Sequence, residues 1–174
     1  MQHMDANPPL IVVMGVSGAG KSTIGELVAR QLQVPFADAD ALHPPANVQK
    51  MAAGTPLTDE DRWPWLALVG DALTRARADG TGLVVACSAL KRSYRDAIVA
   101  RASHVTFLHL RGPRETLAKR LGGRAGHFMP AALLDSQLAS LEDLSADELG
   151  IVVDVTPGLQ AVTADAVARI RSLR

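Results

Sequence analysis

The chain has 174 residues, 48% of them apolar and 21% charged, with 18 basic and 18 acidic side chains and no net formal charge. This length and composition specify a globular unit whose core needs neither disulfide nor structural metal, and zero net charge excludes a nucleic-acid binder that relies on bulk charge. The single cysteine, Cys87, has no partner thiol and no apolar run nears the ~20 residues that span a bilayer, so a cytoplasmic setting is expected, with neither membrane nor nucleic acid as partner.

Residues 1–9 are polar, without the basic start and apolar stretch of a signal peptide, and are expected to form a flexible N-terminal arm. Residues 10–174 are expected to form one domain. Residues 10–14, Leu-Ile-Val-Val-Met, read as a buried strand. The run that follows is Gly15-Val16-Ser17-Gly18-Ala19-Gly20-Lys21-Ser22-Thr23, which matches the phosphate-binding loop G-x-x-x-x-G-K-[ST] at every fixed position. Residues 22–33 then read as a helix, with Ile24, Leu27, Val28 and Leu32 on one face. Glycines let the backbone aim N–H groups at a phosphate chain, and the helix start adds partial positive charge. Lys21 is expected on the β- and γ-phosphates and the Ser22 hydroxyl on Mg²⁺.

Residues 35–38 form the second expected strand, ending in Asp38-Ala39-Asp40. Alternation along an extended chain puts both carboxylates on one side, at the ligand end of the sheet. One could orient or deprotonate an acceptor hydroxyl and the other hold a Mg²⁺-bound water. The long connection from Asp40 to Asp61, with a short helix at 47–53, reads as an acceptor-binding region, about 40–65. A helix is expected over 59–78, capped by Thr58 with Asp61 as a capping-box variant. Arg62 in its first turn could clamp an anionic acceptor, while Trp63 and Trp65 read as packing residues.

The third strand, 83–87, runs into Ser88 and Lys91, which face the same crevice. No Asp ends it, which argues against a motor ATPase or regulatory GTPase. Cys87 within this strand reads as core. A helix at 93–102, a strand at 105–110 and a helix at 113–121 follow. The Gly-rich segment of about 121–130 then reads as a mobile lid, with Arg120, Arg124 and His127 placed to neutralise a transferring phosphoryl group. A helix at 130–141, a strand at 151–154 and a helix at 159–172 complete the chain. Apolar strands alternating with helices imply an α/β fold: a five-stranded parallel sheet flanked by helices on both faces.

Several segments together resemble the gluconate kinases of the small phosphate-loop type, relatives of shikimate and adenylate kinases. They are the phosphate loop, Asp38-Ala39-Asp40 with Leu42-His43-Pro44, Asn47 with Lys50-Met51, the run from Gly54 to Trp65, Cys87-Ser88-Ala89-Leu90-Lys91 with Tyr94-Arg95-Asp96, Gly126-His127-Phe128, and Ser136-Gln137. The resemblance implies a P-loop kinase fold and Mg²⁺-dependent transfer from ATP to D-gluconate, giving 6-phosphogluconate in carbohydrate acid catabolism. It implies Lys21, Asp40 and Arg124 as catalytic residues, with Asp40 on the acceptor hydroxyl and Arg62 on the substrate carboxylate. His43, Lys91, Arg95, His127 and Gln137 join the acceptor site. ATP would lie on residues 15–23 beneath Arg120 and Arg124, with Thr156 and Pro157 near adenine. Ser22 and Asp38 would serve the metal. It also allows a homodimer.

The residues alone reach only a kinase with a small, anionic acceptor. The alternatives are a shikimate-type or other small-acid kinase, separable by a screen over gluconate, shikimate and related acids, and a nucleotide-binding switch, separable by whether ATP consumption depends on an acceptor.

Overall fold

The computed structural model describes residues 7–122 and 131–173. Most of the expected N-terminal arm and the core of the expected lid, with Arg124 and His127, lie outside the described residues. Five strands form one parallel sheet: β1 (Leu10–Met14), β2 (Phe36–Asp38), β3 (Leu83–Ala86), β4 (Thr106–Arg111) and β5 (Gly150–Asp154). Their spatial order is β2-β3-β1-β4-β5, so β1 is central, with Leu10 opposite Leu83 and Ile11 opposite Thr106. Parallel strands buried on both faces need apolar side chains in both directions, and β1 is buried along its whole length.

Seven α-helices accompany them among the described residues: α1 (Lys21–Leu32), α2 (Pro45–Ala52), α3 (Asp59–Ala78), α4 (Arg92–Val99), α5 (Arg114–Gly122), α6 (Ala131–Ser140) and α7 (Leu159–Ser172). Alternation along β1 splits the core in two. Ile11 and Val13 pack with Ile24 and Val28 of α1, Leu117 of α5, Leu134 of α6 and Val162, Ala166 and Ile170 of α7. Leu10, Val12 and Met14 pack with Leu66, Val69 and Leu73 of α3 and with Tyr94 and Ile98 of α4. The five-stranded parallel sheet covered on both faces is as the sequence pattern implies. Among the described residues no helix is long and apolar enough to cross a membrane.

Two local differences from the sequence reading matter. Pro9, the last residue of the expected arm, already bonds the sheet, its carbonyl accepting the Leu83 N–H at 2.9 Å. The extended conformation stops at Asp38, and a one-turn 3-10 helix, Ala39–Leu42, follows. Asp38 caps that turn by accepting the Asp40 N–H at 2.9 Å. A side chain that competes for nearby backbone N–H groups ends a strand more readily than it extends one.

Candidate active site

The phosphate loop leaves the centre of the sheet at Met14 and enters α1. Gly20, at φ 86°, caps that helix in the left-handed region and, as a glycine, brings no side-chain cap of its own to the first turn. Gly18 also stands at φ 86°, and a Cβ there would lie 2.6 Å from the Leu117 carbonyl of α5. Glycine is therefore needed at Gly18 on both conformational and steric grounds. Ala19 and Val16 turn into the core, which leaves the loop's polar lining to the backbone. The Lys21 ammonium folds back over the loop to the Val16 carbonyl at 3.1 Å. The Gly15 N–H bonds the Ser88 carbonyl at 3.3 Å, tying the loop to the end of β3. The Ser17 N–H is taken by the Gln137 side-chain oxygen of α6 at 2.6 Å.

The Ser22 hydroxyl donates to Asp38 Oδ2 at 2.8 Å. Asp38 thus brings to the loop the carboxylate that β3 lacks, from one strand further out. Cys87, at the end of β3, is buried, and burial pushes its thiol up to about 12, so it stays protonated and inert as expected of a core residue. A hydroxyl beside a carboxylate is a hard-oxygen pair suited to Mg²⁺, an ion that keeps several waters and leans on substrate phosphates. Among the described residues no cluster of three or more His, Cys, Asp or Glu could hold a metal ion. Asp40 is exposed, and among the described residues its carboxylate accepts no hydrogen bond. The two acids therefore divide: Asp38 is engaged with Ser22 and the turn, and Asp40 is open.

Next to the loop lies a cleft of about 830 Å³. Leu57, Asp59, Arg62, Lys91 and Tyr94 line one side, and Ser136, Gln137 and Ser140 of α6 the other. Thr58 and Asp61 form the expected capping box at the start of α3, which sets the direction of Arg62. Arg62 Nη1 donates to the Leu57 carbonyl at 2.8 Å and stands 3.7 Å from Asp59 Oδ1, with its Cζ 5.4 Å from the centre of the Tyr94 ring. Lys91 Nζ lies 3.8 Å from the same Asp59 oxygen and 5.6 Å from the same ring. Tyr94 ties the group together by donating its hydroxyl to Asp59 at 2.6 Å. That bond, before the charges of Lys91 and Arg62, holds the Asp59 carboxyl below the ordinary range against partial desolvation. Two cations with one resident carboxylate leave a net positive site for an acidic acceptor.

His43 stacks on Trp65 with centroids 4.1 Å apart, and its Nδ1 lies 3.2 Å from Asn47 Nδ2. Burial lowers its pKa, with Asp40 acting the other way and Arg62 in the same direction, so the ring is neutral near pH 7 and lies within reach of both charges. Trp65 is buried and donates Nε1–H to the Ala39 carbonyl, while Trp63 meets Tyr94 edge-on. Trp65 is a packing residue as expected, whereas Trp63 is exposed and touches the site only through its edge-on contact with Tyr94. Asp59 and Tyr94 are the site residues that sequence reasoning missed. Asp59 reads as a helix-start acid, and Tyr94 enters only within the Tyr94-Arg95-Asp96 segment of the resemblance, without a role of its own.

Arg95 requires correction. It is fully buried, with Nε on Glu148 Oε1 at 2.7 Å, Nη2 on Oε2 at 3.2 Å, and Nη1 on the carbonyls of Ala89 and Leu90. Its donors are spent inside the protein, so it supports the 88–91 wall from behind rather than touching an acceptor. Arg120 also differs from the expected phosphate cover. Its Nη2 bonds the carbonyls of Val155 and Pro157, stitching α5 to the loop after β5. There Asp154 accepts both the N–H and the hydroxyl of Thr156. Arg120 and Thr156-Pro157 are therefore brought together.

The shikimate kinase family model matches residues 17–153 of the chain. The chain is 52% identical over 146 residues to a gluconokinase of Gluconobacter oxydans, an alignment covering 84% of this chain and 82% of the relative. It is 48% identical over 154 residues to the thermosensitive gluconokinase of Escherichia coli K12, covering 87% of this chain and 82% of that protein. Among solved structures, a gluconokinase from Sinorhizobium meliloti superposes with a TM-score of 0.85 at 46% identity, covering 97% of this chain and 95% of the other.

Proposed function

The chain belongs to the gluconokinases of the shikimate kinase family, and from that premise we propose that it transfers the terminal phosphoryl group of ATP to D-gluconate, giving 6-phospho-D-gluconate. The observation that carries the reading is the pairing of a phosphate loop that turns through Gly20 into the start of α1 with a cleft that holds Arg62 and Lys91 on one wall and a polar helix face on the other. The first takes a nucleotide. The second takes a small polyhydroxy acid.

The loop N–H groups and the start of α1 hold the nucleotide phosphates, and the Lys21 ammonium leaves the Val16 carbonyl to follow charge as it shifts toward the leaving oxygen. Arg62 and Lys91 take the acceptor carboxylate, since each stands beyond hydrogen-bond distance of Asp59 and keeps N–H groups for a ligand. Asp40 orients the acceptor hydroxyl and accepts its proton, and His43 packs beside it. Phosphoryl transfer has a loose transition state, so holding that oxygen in line matters more than the basicity of Asp40. Ser22 and Asp38 would hold Mg²⁺, which supplies charge neutralisation at the phosphates. Thr156 and Pro157, braced by Arg120, border the nucleoside. The lone, buried Cys87 suits the reducing cytoplasm.

The test is ATP consumption across an acceptor panel of gluconate, shikimate and neutral glucose. Gluconate alone should drive fast turnover. Turnover that ignores the acceptor, or prefers shikimate, would end the assignment.

A further inference from the structure

Gln137 sits where the donor and acceptor sites meet. It belongs to α6, whose residues Leu133, Ser136, Gln137 and Ser140 recur at helical spacing and line the acceptor cleft. The opposite face of α6 is fixed: Leu134 is fully buried in the core cluster that contains Val16 and Leu117. The chain just beyond α6 is fixed too, because the Glu142 N–H bonds the Leu90 carbonyl at 2.8 Å and its carboxylate accepts the Arg92 N–H at 2.8 Å. The helix therefore presents Gln137 from a rigid mount. Across 120 residues of sequence its side chain meets the Ser17 N–H of the phosphate loop at 2.6 Å.

That contact decides which way the carboxamide faces. An N–H can only donate, so the atom it meets is the amide oxygen. The NH₂ group, two donors, is then turned away from the loop, on a residue that lines the cleft. We propose that Gln137 is an acceptor-orienting residue: Ser17 N–H locks its carboxamide oxygen, and its NH₂ group donates to the acceptor hydroxyl next to the one that is phosphorylated. The inference rests on the gluconate reading above. The reacting hydroxyl belongs to Asp40, and Arg62 and Lys91 take the carboxylate. A donor fixed to the phosphate loop is left with the neighbouring hydroxyl, that on C5 of gluconate. Ser136 and Ser140, on the same face, extend the polar wall along the rest of the polyol.

The experiment is a cycle between residue and substrate. Wild type, Gln137→Leu and Gln137→Glu are assayed with gluconate and with 5-deoxygluconate, alongside the KM for ATP and thermal melting. Gln137→Glu keeps an oxygen for the Ser17 N–H but loses the NH₂, so a residue that only straps α6 to the loop is rescued by it. On the proposal both variants lose about tenfold in kcat/KM for gluconate, the scale of one hydrogen bond, while the KM for ATP holds. Wild type loses about as much on 5-deoxygluconate, and the variants lose nothing further on it. Wild-type activity in Gln137→Glu, losses that add in full across the cycle, or no loss in either variant would overturn the proposal. A wild-type enzyme that does not use gluconate would instead overturn the reading beneath it.

Discussion

Replacing Arg95 with Met keeps the volume of the side chain and removes its charge and its donors. Arg95 and Glu148 are 0% and 5% exposed and share two hydrogen bonds, at 2.7 and 3.2 Å. Removing one partner of a buried pair strands the other, which costs about 3–5 kcal/mol. In a chain of this length each kcal/mol moves the melting temperature by about 2–4 °C, so the variant should melt roughly 6–20 °C lower. Burial works to raise the Glu148 carboxyl, and the Arg95 bond, the Ser145 N–H and the nearby arginine charges together outweigh it. Without Arg95 burial dominates and the folded-state pKa rises above the unfolded one. In the wild type this carboxylate contributes stability above its unfolded pKa and loses it as pH falls; in the variant the sign is reversed. Acidification should therefore narrow the gap between the two melting curves. A second change, Glu148→Leu on the Met background, removes the stranded acid and should recover much of the loss. Melts of the wild type and the two variants between pH 4 and 8 measure this directly. A single variant that melts with the wild type but has a sharply raised KM for gluconate would put Arg95 back in the acceptor site and refute the argument.

Lys21→Ala should lower turnover by about 10²–10³-fold, the usual cost of one preorganised charge at a transferring group, with an unchanged melting curve; near-normal turnover would refute the phosphate-loop reading. Asp40→Asn should reduce kcat by about 10²-fold or more while ATP binding, measured by titration, holds; full activity with Asp38→Asn inactive would exchange the two roles. Arg62→Lys should raise the KM for gluconate roughly tenfold and leave that for ATP alone, because an ammonium lacks the planar fork. An unchanged gluconate profile would place Arg62 outside the acceptor site. His109 of β4 is buried, and burial holds its pKa down to about 4, with Asp143 opposing and Arg111 and Arg95 assisting. The unfolded chain takes up this proton below about pH 6.5 and the folded protein resists it, so stability is full above pH 6.5 and falls by up to about 3 kcal/mol toward pH 4. His109→Phe should flatten that slope in denaturant titrations, and an unaltered slope would assign it to other groups.

The limits of β1, α3 and α7 can be read from the sequence, because each is bounded by a strong local signal. β1 is a five-residue apolar run that stops at a glycine, and α3 begins at a capping box. The 3-10 turn at Ala39–Leu42 has no such signal: four residues are too few for a period, and the decisive contact is a single side-chain bond from Asp38. The phosphate loop, Asp38, Asp40 and Lys91 stand out in the sequence because charged or glycine residues follow strand ends in an α/β pattern, and Arg62 because it sits in the first turn of a capped helix. The resemblance alone put Arg95 in the acceptor site, and its buried role could not be read from the sequence because its partner, Glu148, is 53 residues away. Asp59 was overlooked for a related reason. Its place in a helix's first turn already explains an acid there, and the second role appears only once Tyr94, Arg62 and Lys91 converge on it.

The central position of β1 has a consequence for how the chain is made. Of the five described strands it is made first, yet its ladder partners among the described residues are β3 and β4, whose pairing with it begins at Leu83 and Thr106. Until those residues are synthesised, five consecutive apolar residues and both strand edges stay open, for an interval on the order of several seconds at ordinary translation speed. Long-range parallel pairing is slow once the partners exist, because loop closure precedes any reward from contact. A nascent chain halted between the two partners leaves β1 with one edge uncovered, the state most exposed to strand-edge association. The demand for a holding chaperone should peak in that window, and truncation before β4 should yield aggregate rather than a smaller soluble enzyme.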